Sequence, residues 1–227
     1  MSTVPTLPAT LKRYELKYFI PVAYVEPVSD FLKIYCALDP YSECAVDNDY
    51  FYTVSSLYFD SPSYQFFKQR VEGKAERFNM RVRAYGDGEN APYFLEVKAQ
   101  QRVSGIVTKY RATAQQDEWP DILTDPGFRV LASDNSVEKT NKELFLKLAL
   151  SYAIEPKILT KYQRRAFYST VDNYARVTMD AKMQYRKEHE YNLCSKDGMI
   201  YYDNETIYEN NAHSQAGIIL ELKCNVM

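Results

Sequence analysis

The sequence lacks several features that would assign it to a familiar class of protein. Its formal net charge over 227 residues is −2, so no global positive field indicates nucleic acid or a membrane surface as a partner. The two histidines, His189 and His213, are too few and too far apart for a histidine-based metal site. The four cysteines are scattered without CxxC spacing, which favours reduced thiols in a cytosolic protein.

The chain also lacks long apolar segments. No run approaches the roughly 20 residues of a membrane-spanning helix. Residues 1–11 lack the apolar core of a signal peptide. We therefore expect a cytoplasmic protein with a flexible lead-in over 1–11 and a single domain over 12–227.

Glycine and tryptophan are scarce, at seven and one, whereas tyrosine and phenylalanine number 21 and 11. Aromatic and β-branched residues fit pleated surfaces, so this composition indicates a β-rich protein. Patterns and turn residues predict eight strands, at 12–20, 50–61, 76–86, 92–100, 105–114, 155–170, 174–186 and 217–224. Helices are expected after Pro27, from Pro62 to Gly73 behind a Ser61 cap, over 117–131 and over 136–153. So many antiparallel strands form either a sandwich or a barrel, and the residues leave both open.

Charged residues occupy alternate positions of these strands. In the first strand one row is Arg13, Glu15 and Lys17, while the other row is aromatic or aliphatic. The basic residues in such rows are Arg13, Lys17, Arg81, Arg83, Lys98, Lys109, Arg111, Arg164, Arg176 and Lys223. The acidic residues are Glu15, Glu96, Asp180 and Glu221, and Tyr162 shares a row with Arg164.

For any one strand, a solvated outer face is the ordinary interpretation. A solvated face mixes the two signs, however, because like charges opposite each other are destabilising. If the basic rows meet inside a closed sheet, the lumen must be wet and must hold a polyanion. Phosphate fits best because the arginine fork matches two of its oxygens, and the carboxylates are suited to a divalent cation.

The sequence resembles the VTC domain, the polyphosphate polymerase domain of the vacuolar transporter chaperone complex, in the CYTH-like superfamily of triphosphate tunnel metalloenzymes. The resemblance lies in eight segments in family order: "RYELKYFI", "VSSLYFDSPSYQFFKQRVEG", "RFNMRVRAYG", "YFLEVKAQ", "VTKYRA", "YQRRAF", "ARVTMD" and "IILELK". It implies a mainly β (α+β) fold, a closed eight-stranded antiparallel β-barrel with inserted helices.

The resemblance also implies that a tunnel protein of this kind moves the γ-phosphoryl group of ATP onto a polyphosphate chain, with Mn²⁺ or Mg²⁺ as cofactor. ATP and polyphosphate or triphosphate would be its partners, without DNA, and a membrane-anchored complex could be reached through other subunits. From motif and spacing together, the catalytic positions are Arg81, Arg83, Lys98 and Arg164. The phosphate-binding positions are Arg13, Lys17, Lys109, Arg111, Tyr162, Arg176 and Lys223, and the metal positions are Glu221 and Glu96.

Two departures from the family pattern bear on the reaction. Hydrolytic relatives carry Glu-x-Glu-x-Lys in the first strand, whereas Arg13 replaces the first glutamate here. Losing a carboxylate weakens activation of water by metal and favours transfer over hydrolysis. The resemblance further implies a C-terminal helix with an "FSKY"-like segment, which we expect this chain to lack.

Four other functions stay open at this point. A triphosphatase acting on tripolyphosphate, RNA 5′-triphosphate or thiamine triphosphate would use the same tunnel. A non-catalytic polyphosphate-binding module would bind without turnover, and an adenylate cyclase belongs to the same superfamily. A sheet that reads nucleic acid would need aromatic residues beside the arginines, whereas most aromatic residues fall on the opposite row.

Overall fold

The computed structural model describes residues 13–45, 49–86, 92–101, 107–128, 130, 136–172, 175–193, 197–202 and 216–225. The predicted lead-in over 1–11 lies outside these residues. Among the helices within them, none is both long enough and apolar enough to cross a bilayer.

The described residues form ten strands and five short to medium helices. The strands are β1 (Arg13–Pro21), β2 (Cys36–Leu38), β3 (Tyr52–Asp60), β4 (Glu76–Tyr85), β5 (Tyr93–Gln101), β6 (Val107–Ala114), β7 (Glu155–Ser169), β8 (Arg176–Lys187), β9 (Ile200–Tyr201) and β10 (Ala216–Asn225). The helices are α1 (Val25–Leu32), α2 (Pro40–Glu43), α3 (Gln65–Val71), α4 (Asp121–Thr124) and α5 (Ser136–Tyr152). Two 3₁₀ turns lie at Val22–Tyr24 and Gln116–Glu118.

The strands belong to one sheet that is mainly antiparallel, as predicted, but it is not the expected closed eight-stranded barrel. Their order is linear, β1-β10-β8-β7-β3-β4-β5-β6, with β2 beside β7 and β9 beside β8. The eight predicted strands are all present. The two additional strands, β2 and β9, have three and two residues, too few to show an alternating pattern.

The chain divides into two compact units. The first contains Met1–Val54, Lys161–Tyr185 and Met199–Met227, and the second contains Ser55–Thr160 and Arg186–Gly198. In the first unit α1 covers the apolar rows of β7, β8 and β10. Val25 on α1 packs into a buried cluster with Phe167, Met179 and Ile218.

In the second unit the apolar rows of β4, β5 and β6 form the core. Met80, Val82 and Leu95 are almost fully buried, and α5 packs on β6 and β5 with Phe145 and Ala149 as its buried apolar residues. This packing covers one face of the three strands. Because side chains alternate along a strand, the charged rows lie on the other face.

Helix α3 begins at Gln65, three residues later than predicted from Pro62. The carboxylate of Asp60, at the end of β3, accepts hydrogen bonds from the backbone amides of Phe66 and Phe67, both at 2.9 Å. The Ser61 hydroxyl accepts from the amide of Gln65 at 3.0 Å. Both side chains therefore cap the helix from a distance, and Pro62 lies in the turn before it.

The helix predicted over 117–131 is mostly absent from the described residues. Only the short α4 forms, because Pro120 and Pro126 interrupt the backbone hydrogen bonding of a longer helix. Helix α1 begins at Val25, before rather than after Pro27, and Pro27 falls in its first turn. The helix predicted over 136–153 is confirmed as α5.

Candidate functional site

Charged residues of the second unit meet in a row across three strands. Arg81 on β4 lies opposite Glu96 on β5, which in turn lies opposite Arg111 on β6. One step along the same face, Lys98 lies between Asn79 and Lys109. Alternation along each strand and this register together place the basic residues around one carboxylate.

Glu96 is the centre of this cluster, and its side chain is only 1% exposed. Its Oε2 accepts from Nε of Arg81 at 2.7 Å. Its Oε1 accepts from Nη2 of Arg111 at 2.6 Å and lies 2.5 Å from Nζ of Lys109. We call Glu96, Arg81, Arg83, Lys109 and Arg111 the Glu96 group.

Neutral side chains hold the arginines of the Glu96 group in place. Nη1 of Arg81 donates to the hydroxyl of Tyr58 at 2.8 Å, and Nη2 of Arg111 donates to the hydroxyl of Tyr85 at 2.6 Å. Nε of Arg83, a buried side chain, donates to Oγ of Ser56 at 3.0 Å. The guanidinium of Arg111 also lies 4.4 Å from the centre of the Phe94 ring. None of these partners is a carboxylate.

The cations perturb the acidic groups beside them. Burial alone would raise the pKa of Glu96, but Lys109 and the three arginines of its group outweigh burial and hold it well below the usual range. Burial would likewise raise the pKa of Tyr85, yet Arg83, Arg111 and Lys109 lower it to about 7. Burial lowers the pKa of Lys109 itself to about 7, against the opposing effect of Glu96. The basic side chains of the group therefore outnumber the one carboxylate that they face.

The first unit has a second cluster, centred on Glu221 of β10. Lys17 of β1 and Thr178 of β8 lie opposite Glu221 on its two sides. Glu15 and Arg176 lie in the same way on the two sides of Lys223. With Arg164 and Asp180, these residues form what we call the Glu221 group: Glu15, Lys17, Arg164, Arg176, Thr178, Asp180, Glu221 and Lys223.

Each oxygen of Glu221 faces one lysine. Nζ of Lys17 lies 3.3 Å from Oε1, and Nζ of Lys223 lies 2.9 Å from Oε2. Burial would raise the pKa of Glu221, but Lys223, Lys17 and Arg164 lower it to about 2. Glu221 is thus ionised at any ordinary pH.

Arg164 of β7 has a carboxylate partner of its own. Its Nε and Nη2 donate to the two oxygens of Asp180 at 2.7 Å each, in the bidentate geometry that suits a guanidinium. The guanidinium also lies 5.2 Å from the centre of the Tyr162 ring. The pair fixes Arg164 and leaves it with little surplus charge.

The fold family implies a divalent metal, and the carboxylates differ in how well they fit one. Among the described residues, no group of three or more His, Cys, Asp or Glu side chains is arranged to hold an ion. Magnesium and similar ions are nevertheless often bound by one or two carboxylates together with substrate phosphates. Glu221 fits that arrangement, because its lysine partners are exchangeable and Lys17 is 61% exposed. Both oxygens of Glu96 are held by cations in a buried site, which fits a metal less well.

The structure brings together most of the residues that the sequence singles out. Arg81, Arg83, Lys109 and Arg111 converge near Glu96, and Lys98 shares their face. Lys17 and Lys223 contact Glu221, and Tyr162 lies beside Arg164. The backbone of Arg13 pairs with Asn225, but its side chain lies outside the described residues. The roles of all these residues remain predictions.

Sequence reasoning found Tyr162 but missed three aromatic members of the charged face in the second unit. Tyr58, Tyr85 and Phe94 lie on the same face as the arginines and contact them. Tyr85 stands two residues after Arg83, in the same alternate row, and that spacing was the available signal. Tyr58 lies on a strand without basic residues, so its row gave no such signal.

Comparison with known proteins identifies the family. The model of the VTC domain matches residues 12–226, nearly the whole chain. The chain therefore belongs to the VTC domain family, which confirms the resemblance seen in its motifs. No curated protein matches it.

Solved structures with a similar fold include several described as adenylate cyclases. A putative adenylate cyclase from Bacillus halodurans is 13% identical with a TM-score of 0.51, and the match covers 96% of this chain and 83% of that one. One from Vibrio parahaemolyticus is 11% identical with a TM-score of 0.45, covering 94% and 76%. A putative adenylyl cyclase from Hippeastrum, described as having a dominant triphosphatase activity, is 11% identical with a TM-score of 0.42, covering 95% and 79%. At 13% identity the likeness to the Bacillus halodurans protein concerns the fold alone.

Proposed function

We propose that this protein binds ATP and polyphosphate and transfers the γ-phosphoryl group of ATP to the end of a polyphosphate chain. The observation that carries the proposal is the Glu96 group, in which four cationic side chains surround a single carboxylate. Like charges held close together in a partly buried site are costly unless an anion compensates them. Phosphate suits the group because arginine and lysine bind it with charge-assisted hydrogen bonds.

In the proposed reaction the terminal oxygen of the polyphosphate attacks the γ-phosphorus of ATP. A new phosphorus–oxygen bond forms, the bond from that phosphorus to the β–γ bridging oxygen breaks, and ADP leaves. Such transfers need positioning and charge neutralisation more than covalent help from the protein. We assign positioning to Arg81, Arg83, Lys98 and Arg164.

The remaining assignments divide between binding and charge balance. We propose that Lys17, Lys109, Arg111, Arg176 and Lys223 bind phosphates, with Tyr162 and Arg13 supporting the same function. A divalent metal, when bound, would neutralise charge on the phosphates, and Glu221 is the residue proposed to hold it. We propose that Glu96, predicted as a second metal ligand, instead orders the cations around it. A cytoplasmic location and a link to a membrane-anchored complex remain predictions from the resemblance.

Hydrolysis of a triphosphate is the second candidate function. Glu15, the second glutamate of the hydrolytic pattern, is retained and shares a face with Glu221. Two carboxylates on neighbouring strands favour metal-activated water more than one does. Against this, Arg13 stands where the first glutamate of the hydrolytic pattern is expected.

Product analysis separates these functions. The protein is incubated with ATP and Mn²⁺, and in parallel with tripolyphosphate and Mn²⁺, and products are resolved on a denaturing gel and assayed for orthophosphate. We expect long polyphosphate and ADP from ATP. Orthophosphate without polymer would favour a triphosphatase, and tight binding without turnover would favour a binding module.

Replacement of Arg83 provides the matched test of the site. Arg83→Ala should abolish polymer synthesis without unfolding the protein, because its hydrogen bond goes to neutral Ser56 and not to a buried carboxylate. Arg70→Ala, at an exposed arginine in the last turn of α3, makes the same change of charge elsewhere and should retain synthesis. A folded and active Arg83→Ala variant would contradict the assignment.

A further inference from the structure

Thr178 has a buried hydroxyl group without a partner. The residue is 6% exposed, and its Oγ1 has no hydrogen-bond partner among the described residues. Most buried side-chain polar atoms in folded proteins have at least one partner. We therefore looked for a group close to the Thr178 hydroxyl that could accept its hydrogen bond.

The position of Thr178 points to Glu221 as that partner. The two residues lie directly opposite each other on β8 and β10. Side chains in such a pair leave the same face of the sheet with their Cβ atoms roughly 5 Å apart. Both oxygens of Glu221 face lysines instead, Lys17 at 3.3 Å and Lys223 at 2.9 Å.

Binding of a phosphate chain would change this balance. Lys17 and Lys223 are proposed to bind phosphate, and a bound polyanion competes with Glu221 for their ammonium groups. The side chain of Glu221 is only 9% exposed, so water replaces a lost lysine poorly. A buried carboxylate that loses its donors is strongly destabilised.

We propose that Thr178 is a positioning residue, whose hydroxyl donates to Glu221 when bound phosphate draws the lysines away. This inference rests on the proposed function, because it requires phosphate to bind beside Glu221. The exchange gives a function to a hydroxyl group that has no hydrogen-bond partner among the described residues. It also keeps Glu221 oriented while its lysines serve the ligand.

Three variants test the proposal. Thr178→Val removes the hydroxyl with little change in shape, and Thr178→Ser retains it. Thr53→Val is the matched control, because Thr53 is also buried in the first unit but its hydroxyl accepts from Nε2 of Gln163 at 3.2 Å. Thr178→Val should unfold at the same urea concentration as wild type or a higher one, whereas Thr53→Val should unfold at a lower one.

Tripolyphosphate binding should show the opposite pattern, with Thr178→Val impaired and Thr53→Val unaffected. Titration calorimetry with tripolyphosphate in EDTA should show about tenfold weaker binding for Thr178→Val, because a hydrogen bond to a charged group is lost in the bound state. Thr178→Ser and Thr53→Val should bind within about twofold of wild type. In a Glu221→Ala background, Thr178→Val should cause no further loss.

Each other outcome overturns the proposal. Wild-type affinity in Thr178→Val, or an equal loss in the Glu221→Ala background, would show that the hydroxyl does not act through Glu221. A fall in stability as large as that of Thr53→Val would show that the hydroxyl is used in the free protein. Failure of the wild type to bind tripolyphosphate would overturn the proposed function as well, whereas tight wild-type binding with an unaffected Thr178→Val would overturn this inference alone.

Discussion

The Glu96 group and the Glu221 group use similar residues but differ in charge balance. Four basic side chains accompany one carboxylate in the Glu96 group, a surplus of three positive charges when Lys109 is protonated and Tyr85 is neutral. In the Glu221 group four cations accompany three carboxylates, a surplus of one. Arg164 is also neutralised by a bidentate pair with Asp180, whereas each arginine of the Glu96 group shares one carboxylate or has a neutral partner.

The register of the strands explains the difference. Glu96 has an arginine directly opposite on both neighbouring strands. Glu221 has Lys17 on one side and a neutral residue, Thr178, on the other. We therefore propose that a bound anion balances the Glu96 group, while the Glu221 group is almost balanced without one.

The largest expected effect is the loss of the single carboxylate in the Glu96 group. Glu96→Gln should lower the free energy of unfolding by about 4 kcal/mol, because it leaves four cations without a counter-charge. Glu221→Gln should cost less, about 2 kcal/mol, since Lys17 is 61% exposed and can return to water, whereas Lys223 is 23% exposed. Urea denaturation of both variants measures the difference. Equal losses would contradict the contrast between the two groups.

Tripolyphosphate serves as the control for that comparison. A bound polyanion should restore part of the stability of Glu96→Gln, because it supplies the missing negative charge. The same concentration of sodium chloride, matched for ionic strength, should restore less. If both salts act equally, the effect is screening and not a specific site.

The pair of Arg164 and Asp180 should behave differently from the Glu96 group. Arg164→Gln should lower the free energy of unfolding by about 3 kcal/mol, because it leaves Asp180 unpaired at 12% exposure. The double variant Arg164→Gln/Asp180→Asn should recover most of that loss, since two amides can hydrogen-bond without charge. Urea denaturation of the single and double variants gives the coupling energy. A double variant as unstable as the single one would show that the pair is not the reason for the loss.

The alternation of charge along the strands was readable from the sequence, and it located most of the candidate residues. The sequence did not predict which carboxylate contacts which cation, because the register of the strands sets those partners. Arg164 contacts Asp180, whereas Arg81 and Arg111 share Glu96. Short elements escaped prediction for a simpler reason. A two-residue strand such as Ile200–Tyr201 carries no periodicity at all.

Stability should also rise with pH. The pKa of Tyr85 is lowered to about 7 in the folded protein, against about 10 in the unfolded chain. Between these values the unfolded chain holds the proton and the folded protein does not, so stability rises as the pH goes from 7 towards 10. Lys109, with its pKa lowered to about 7, changes stability in the same direction.

The midpoints of urea denaturation at pH 7 and pH 9 measure the slope of stability against pH. Tyr85→Phe should reduce it, whereas Tyr191→Phe should not, because burial raises the pKa of Tyr191 and moves its titration above this range. Saturating tripolyphosphate should also flatten the slope, since a bound anion favours the protonated forms of Tyr85 and Lys109. An unchanged slope in Tyr85→Phe would remove Tyr85 from the explanation.

Calorimetric titration of tripolyphosphate into the wild type, Arg83→Ala and Arg70→Ala tests most directly the claim that the Glu96 group is completed by a phosphate chain. We expect tight binding by the wild type and by Arg70→Ala, and at least about tenfold weaker binding by Arg83→Ala, because a charge-assisted contact to phosphate is lost. Equal affinities for all three proteins, with Arg83→Ala folded, would contradict the claim.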